Sequence, residues 1–379
     1  MEPDSDFSAK LREDCANVML PLTQACTLPP SAYTSAAFFA RERQRVFADA
    51  WLFVGHGDDV SEAGSYYTTQ TALGPLVLTR DGDGVLRAFV NSCRHRGTAV
   101  AEGCGQADSL VCPYHSWRYG LDGALRFAPG MGFDEAGFAG HGLLPLRVET
   151  WAGLVFVTYS ETVVGLHQWL GNIPAQFAAF AAVDLACTRR VQYNVACNWK
   201  LLLENALEAY HTGSVHRDTL GQQSSKPALA QGSWTGLVVE SDASVAVLPG
   251  EHAGLEAFAE SALGRIGGTV FTVVYPNSQV VFAHDCLWWL RVEPRGVDHC
   301  TLELGSCFAR AETRKPSFEQ WASAYYERWD RATPEDNRIA ELQQIGQAAE
   351  MRPAGPFAAT EHAVHAFDRW LVHKMGLVT

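Results

Sequence analysis

Asn198-Trp199-Lys200-Leu201-Leu202-Leu203-Glu204-Asn205-Ala206-Leu207-Glu208-Ala209-Tyr210-His211-Thr212-Gly213-Ser214-Val215-His216 is the stretch around which the rest of the chain is organised. Within it Glu208, His211 and His216 stand close together, and two imidazoles beside a carboxylate are the donor types of a non-haem Fe(II) site. On one continuous helix Glu208 and His211 would share a face while His216 pointed elsewhere. The spacing therefore predicts a break, with Gly213 as its place. Taken alone, two histidines five apart also fit unrelated core or surface positions.

A second donor set changes that balance. Cys93-Arg94-His95 is followed, after sixteen residues, by Cys112-Pro113-Tyr114-His115. Two thiolates and two imidazoles on a pair of tight loops suit a [2Fe-2S] cluster in which histidines hold one of the two irons. A structural Cys2His2 zinc site has the same donors, but the C-x-H spacing is unusual for zinc and the surroundings are β-rich rather than a ββα finger. A cluster passing single electrons and a mononuclear iron activating O2 are complementary parts of one machine.

The bulk properties suit such an enzyme. The 379 residues are long enough for roughly two domains, and 47% hydrophobic with 19% charged residues is an ordinary globular composition. A net charge of −13 argues against a nucleic-acid groove or an anionic membrane as partner. The N-terminus has no signal-peptide pattern, and no apolar run approaches the ~20 residues of a membrane span. A cytoplasmic protein is expected, its ten cysteines being free thiols or metal ligands. Cys104, which fits neither loop, is expected to be a small buried hydrophobe.

Along the chain, residues 1 to about 25 read as a loose arm and Ser31–Phe47 as a capped helix. From Trp51 to Ser160 short runs such as Leu52–Val54, Leu76–Thr79, Leu86–Val90 and Leu154–Thr158, separated by Asp-Gly turns, predict a small antiparallel β domain. After Gly165 a helical pattern covers about 166–181. Strands follow near 190–195, 234–240, 269–274, 279–283, 287–292 and 301–308, with helices at about 318–331, 334–348 and 360–374. The fold class is α+β, divided into an arm and helix at 1–48, a β domain at 49–162 and a catalytic domain at 163–379.

Cys-Arg-His-Arg-Gly at 93–97 and Cys-Pro-Tyr-His-Ser-Trp at 112–117 resemble the two cluster loops of Rieske proteins, with Ser116 where many members carry Gly. Together with Asn198-Trp199-Lys200, Glu204-Asn205 and Glu208-x-Tyr210-His211-x4-His216, they make the chain resemble the α subunits of Rieske non-haem iron oxygenases from about residue 27 onward. The resemblance implies a Rieske domain plus a helix-grip catalytic domain with a curved antiparallel sheet. It implies Cys93, His95, Cys112 and His115 as cluster ligands, and His211 and His216 as iron ligands. Glu208 becomes a carboxylate bridging to a cluster histidine of the neighbouring subunit, grouped with Asn205 as catalytic.

For the third iron ligand the candidate is Asp336, with Glu335 as rival by one position. Thr333-Pro334-Glu335-Asp336 also reads as an ordinary helix start; related oxygenases carry Gln and Gly eight and ten residues after this Asp, as Gln344 and Gly346 stand here. Glu rather than Asp at position 208 is typical of relatives resembling the choline, glycine betaine and carnitine oxygenases. The resemblance then implies hydroxylation of a quaternary or tertiary amine with C–N cleavage, the alternative being an aromatic ring-hydroxylating oxygenase. Electrons would come from NAD(P)H through a separate ferredoxin or flavin reductase, and the chain would form a homotrimer. Phe271, Trp288 and Trp289, with Tyr275 and Phe282, are aromatic candidates for caging an alkylammonium by cation–π attraction, or simply sheet core.

Overall fold

A computed structural model of the chain describes residues 5–241, 244–258 and 267–378. Two compact units emerge, Ala48–Leu166 and Met1–Phe47 joined with His167–Thr379.

The Ala48–Leu166 unit is all antiparallel. Its larger sheet has the spatial order Leu52–His56, Leu154–Thr158, Pro145–Trp151, Leu86–Val90, Gly74–Arg80, Ser65–Thr71, Cys104–Gln106, and a smaller one contains Ser109–Val111, Arg118–Gly120 and Leu125–Phe127. The expected Asp-Gly turns form for a local reason. Asp81 accepts from the backbone N–H of Asp83 (3.1 Å) and Val85 (2.8 Å), which closes the link between two sheet strands. Cys93 and Cys112 are buried in a cluster with Val77, Phe89, Trp117 and Tyr119. Cys104 is exposed, contrary to expectation, because it belongs to a three-residue edge strand.

In the other unit seven antiparallel strands curl into a half-barrel, in the order Leu185–Val195, Cys300–Ala309, Leu287–Pro294, Ser278–Phe282, Gly268–Val274, Trp234–Glu240, Ser225–Pro227. Every residue of Gly268–Val274, Ser278–Phe282 and Leu287–Pro294 is buried. Strands covered on both faces lose the alternation of polar residues, which is why this part of the sequence reads as near-continuous apolar runs. The helix Phe318–Gln347 packs on the helix Trp199–Asn205.

Four helical expectations are corrected. The N-terminal arm is not loose where it is described: Ser5–Ala16 is helical, and Leu11, Cys15 and Val18 are buried; residues 1–4 lie outside the described residues. The segment from Ser31 restarts at Ser35, whose side chain accepts from Phe38 N (3.2 Å) and caps Ala36–Glu42, before a wider turn over Arg43–Phe47. The 166–181 pattern divides into Leu166–Leu170, Ile173–Gln176 and Ala178–Ala182. Gly171 makes the first break, with φ +60° and a backbone so close to Gln231 that a Cβ would lie 1.7 Å from its carbonyl oxygen.

The fourth correction concerns Pro334. Instead of starting a helix it sits inside one, Phe318–Gln347 running 30 residues without interruption. A helix-interior proline costs about 3 kcal/mol. Tertiary burial of Tyr325, Trp329, Ala332, Asn337, Ala340 and Gln344 along one side of this helix offsets it.

Candidate metal centres

The helix Trp199–Asn205 starts where Asn198 accepts from Lys200 N (3.2 Å), and its first six residues are buried. Beneath it lie charges with partners. Lys200 Nζ donates to Glu42 Oε1 at 2.6 Å, with Trp199 Nε1 donating to the other oxygen (3.1 Å). Tyr33 donates to Glu204 at 2.8 Å. Burial lifts the Glu204 carboxyl to about 7 although Tyr33 and Lys200 pull it down.

This helix ends at Asn205, eight residues before Gly213, and Gly213 lies within the next short helix, Thr212–Val215. Glu208 therefore does not share a helix face with His211. It occupies the connection, where it accepts from the backbone N–H of Tyr210 and of His211 (3.0 Å), leading the chain into the short helix. One helical turn then separates the two histidines, since His216 N donates to Thr212 O (3.1 Å), and the rings stand 5.1 Å apart.

Asp336 approaches from the long helix. Its Oδ1 lies 3.0 Å from His216 Nε2 and 3.5 Å from His211 Nε2, and one donor atom from each of the three residues falls within 4.8 Å of the others. The opposite ring nitrogens are held by other carboxylates. His211 Nδ1 donates to Glu208 Oε1 (2.6 Å) and His216 Nδ1 to Glu335 Oε2 (2.6 Å), while Thr219 donates to the second Glu335 oxygen. An ionised carboxylate only accepts, so each Nδ1 carries the hydrogen and each ring turns its Nε2 to the Asp336 side. Burial lowers the proton affinity of His216, but Asp336 and Glu335 outweigh it and raise the ring above its ordinary value. Asp336 Oδ1 is buried without a hydrogen bond despite its proximity to both rings. That orphan acceptor and the two convergent Nε2 atoms fit a divalent metal held by two histidines and one carboxylate.

A cleft partly open to solvent adjoins these residues; Asn205 and Glu208 line it together with His211, His216 and Asp336. Of the expected aromatic cage, Phe271 lines the cleft, but Trp288 and Trp289 are not among its lining residues. Neighbours on a strand face opposite sides, so those two never had a common cavity to share. Trp288 packs edge-on against Trp329, Trp289 lies under the Arg190 guanidinium, Tyr275 stacks on Trp370 and Phe282 on Phe177. The sequence reading missed Gln279, Arg328, Thr333 and Asn337, which also line the cleft. For Arg328, Thr333 and Asn337 the helical spacing from Asp336 was the available signal, since 328/329, 332/333 and 336/337 repeat every four residues on one side of the long helix, whereas Gln279 lies on the strand Ser278–Phe282 and had none.

In the Ala48–Leu166 unit each cluster loop is closed by its own cysteine. Cys93 N donates to Thr98 O (2.8 Å) and Gly97 N to Cys93 O (2.9 Å); Cys112 N donates to Trp117 O (2.8 Å) and Ser116 N to Cys112 O (3.0 Å). Ser116 takes φ +59°, a left-handed conformation that favours glycine. The Tyr119 hydroxyl bonds Cys93 Sγ (3.3 Å) and accepts from Arg94 N (3.0 Å). The His95 and His115 ring centres are 4.6 Å apart, and His95 stacks on Trp117. Both cysteines are buried and His115 is exposed, while the buried His95 Nδ1 lacks a hydrogen bond. Inward thiols, outward imidazoles and an orphan ring nitrogen fit a cluster whose histidine side meets solvent.

Comparison with known proteins follows the same division. Residues 183–377 match the family described as ring hydroxylating alpha subunit (catalytic domain), and residues 50–136 the Rieske [2Fe-2S] domain. The carnitine monooxygenase oxygenase subunit of Acinetobacter pittii (strain PHEA-2) is 35% identical over 215 residues, which is 55% of this chain; the match spans about half of the relative, 56% of its length. The chloroplastic choline monooxygenase of Beta vulgaris is 27% identical over 373 residues, 93% of this chain and 78% of that one. A solved quaternary ammonium Rieske monooxygenase superposes over 96% of this chain and 98% of its own with a TM-score of 0.78, and at 23% identity this establishes the shared fold.

Proposed function

The chain belongs to the family of ring-hydroxylating oxygenase α subunits, and from that membership we propose that it is a terminal oxygenase that uses O2 and reductase-supplied electrons to hydroxylate a quaternary or tertiary amine. Hydroxylation next to the nitrogen leads to N-demethylation or C–N cleavage. The observation that carries the reading is the convergence of His211 Nε2, His216 Nε2 and Asp336 Oδ1 beside a cleft. The relatives named for carnitine and choline, with Glu at position 208, favour the amine.

In this reading His211, His216 and Asp336 hold a mononuclear iron, and Cys93, His95, Cys112 and His115 hold a [2Fe-2S] cluster. When bound, the iron supplies O2-activating chemistry and the cluster supplies single electrons. Glu208 and Glu335 fix the two rings through Nδ1, so that Nε2 needs no reorganisation to bind. Glu335 serves as an orienting group, and Asp336 as the ligand. Glu208 takes a second role as the bridge to a cluster histidine of a neighbouring subunit in a homotrimer. Asn205, which lines the cleft, assists at the same junction. The electron donor is a separate NAD(P)H-dependent reductase, and the setting is cytoplasmic. No described helix is long and apolar enough to cross a membrane.

The direct test is His211→Ala in the cluster-loaded protein. The visible spectrum of the cluster should persist while amine-dependent O2 uptake disappears. Full turnover by the variant would refute the metal site, and uptake driven only by unsubstituted aromatic hydrocarbons would replace the amine reading with ring hydroxylation.

A further inference from the structure

Arg328 lies on the long helix two turns before Asp336, lines the cleft and is only 2% exposed. A guanidinium taken out of water needs a counter-anion or a full set of acceptors. Here Nε has no hydrogen-bond partner, and among the described residues no carboxylate reaches ion-pair distance of the group. The acids around it are engaged elsewhere. Asp336 exerts the strongest pull, but it faces the two histidines. Asp285 accepts from Tyr325 and Ser244. Burial raises the Cys286 thiol well above its ordinary range, which keeps it neutral. Burial also pulls Arg328 down to about 10, so the charge remains at neutral pH.

What holds Arg328 is aromatic. Its guanidinium carbon lies 4.7 Å from the ring centre of Trp329, 5.8 Å from Trp288 and 5.9 Å from Phe271. Cation–π contacts engage the flat faces of a guanidinium and leave its N–H edge free for a planar bidentate acceptor. Phe271 and Trp288, two of the rings expected to cage an alkylammonium, are thus already occupied by a cation that belongs to the protein. Nearby, Trp329 Nε1 and Thr333 Oγ1 are buried on the same cleft wall without hydrogen-bond partners, giving two further donors.

We propose that the cleft takes a substrate bearing a carboxylate, which pairs with Arg328 while the amine end lies at the metal site. This rests on the amine-oxygenase reading and narrows it to zwitterionic trimethylammonium carboxylates. Eight helical residues separate Arg328 from Asp336, a rise of roughly 12 Å, so the two ends of such a molecule are read at separate points along one helix. Choline, which has a cation and no anion, meets a like charge in this cleft and leaves the guanidinium unpaired.

The test uses glycine betaine and γ-trimethylammonium butyrate, their methyl esters, choline and benzoate, with the cluster- and iron-loaded protein. Anaerobic equilibrium dialysis measures binding, and O2 uptake measures kcat/KM. In the wild type at least one of the two carboxylates should bind about 30-fold or more tightly than its ester, the scale expected for a desolvated charge pair that loses one partner. Arg328→Gln should lose that preference while its weak ester binding stays within about threefold; Arg328→Lys should keep part of it. Equal losses on acid and ester would overturn the inference and make Arg328 a structural residue. Choline or the esters bound by the wild type as well as the acids would overturn it while sparing the amine-oxygenase reading. Benzoate binding lost in Arg328→Gln, with no amine bound at all, would support carboxylate pairing and sink the amine. Should Arg328→Gln not fold, the wild-type comparison of acid with ester and the Arg328→Lys variant decide.

Discussion

Glu335 and Asp336 are adjacent, equally charged and both within reach of His216, so exchanging their roles is the sharpest challenge to the metal centre. Glu335→Gln keeps an acceptor oxygen opposite His216 Nδ1 but removes the charge from a 2.6 Å hydrogen bond. A bond to a charged group contributes about 1.5–3 kcal/mol, and loss of a partner that orients a ligand weakens metal binding about 10- to 100-fold. The two scales agree, since those factors correspond to about 1.4–2.7 kcal/mol. Glu335→Gln should therefore raise the Kd for Fe(II) by about that factor and recover much of its turnover at saturating iron. Asp336→Asn, which removes the carboxylate charge that lies within ion-pair distance of Nε2 on both rings, should retain no mononuclear iron after dialysis at any practical concentration. In both variants the visible spectrum of the cluster serves as the folding control. Iron retained and turnover kept in Asp336→Asn, with both lost in Glu335→Gln, would refute the assignment.

Three further perturbations test the scaffold. Glu204 binds its proton more tightly folded than unfolded, its carboxyl lying at about 7 against an ordinary 4.5; its contribution is fully present below 4.5 and is lost as pH rises through 7. That interval corresponds to about 3 kcal/mol, so urea midpoints should fall between pH 5 and 8, and Glu204→Gln should flatten the fall; an unchanged slope would rule out this origin. Lys200→Met leaves Glu42 buried beside Trp199 without its cation and should cost about 3–5 kcal/mol, measured by urea unfolding, with Glu42→Gln in the same chain recovering most of it. Gly171→Ala should destabilise by about 2–5 kcal/mol, because φ is +60° and the added Cβ would lie 1.7 Å from the Gln231 carbonyl oxygen; a wild-type midpoint would show that this crossing relaxes freely.

How much of this was legible in the sequence depended on whether the deciding force was local. Trp234–Glu240 and Leu86–Val90 form where the apolar patterning puts them, and the two cluster loops are recognisable because their donors sit on short segments closed by their own backbone. Pro334 misled for the converse reason. Its local preference is to begin a helix, and the packing that carries the helix through it comes from segments far away in sequence, such as Ser31–Thr34 and Trp199–Asn205. Gly213 misled similarly, since the break is made by Glu208 bonding backbone N–H groups, a side-chain role that residue type alone does not reveal. The choice between Glu335 and Asp336 turns on which nitrogen of His216 each one faces, and that exists only in three dimensions. Arg328 stood in the right register with Asp336, but an arginine on a helix is ordinarily solvated. Only its burial without a carboxylate partner among the described residues makes it informative.

The charges at the site explain why metal, substrate class and acidic surroundings belong together. A metal takes histidine as the neutral ligand, so the protein groups around a bound ion are the carboxylates of Asp336, Glu208 and Glu335 against the single guanidinium of Arg328, an excess of two negative charges. A divalent ion cancels that excess, which makes Fe(II) a stabilising ligand of the fold as well as the seat of chemistry. A zwitterion enters this balanced cleft without altering the sum, whereas choline adds a positive charge and a simple carboxylate a negative one, and an unbalanced charge in a low-dielectric cleft is costly. Thermal unfolding of the cluster-loaded protein should therefore show a rise in Tm on adding Fe(II), and a further rise with glycine betaine or γ-trimethylammonium butyrate that choline does not produce. A larger rise with choline than with either carboxylate would mean that some charge other than Arg328 governs the cleft.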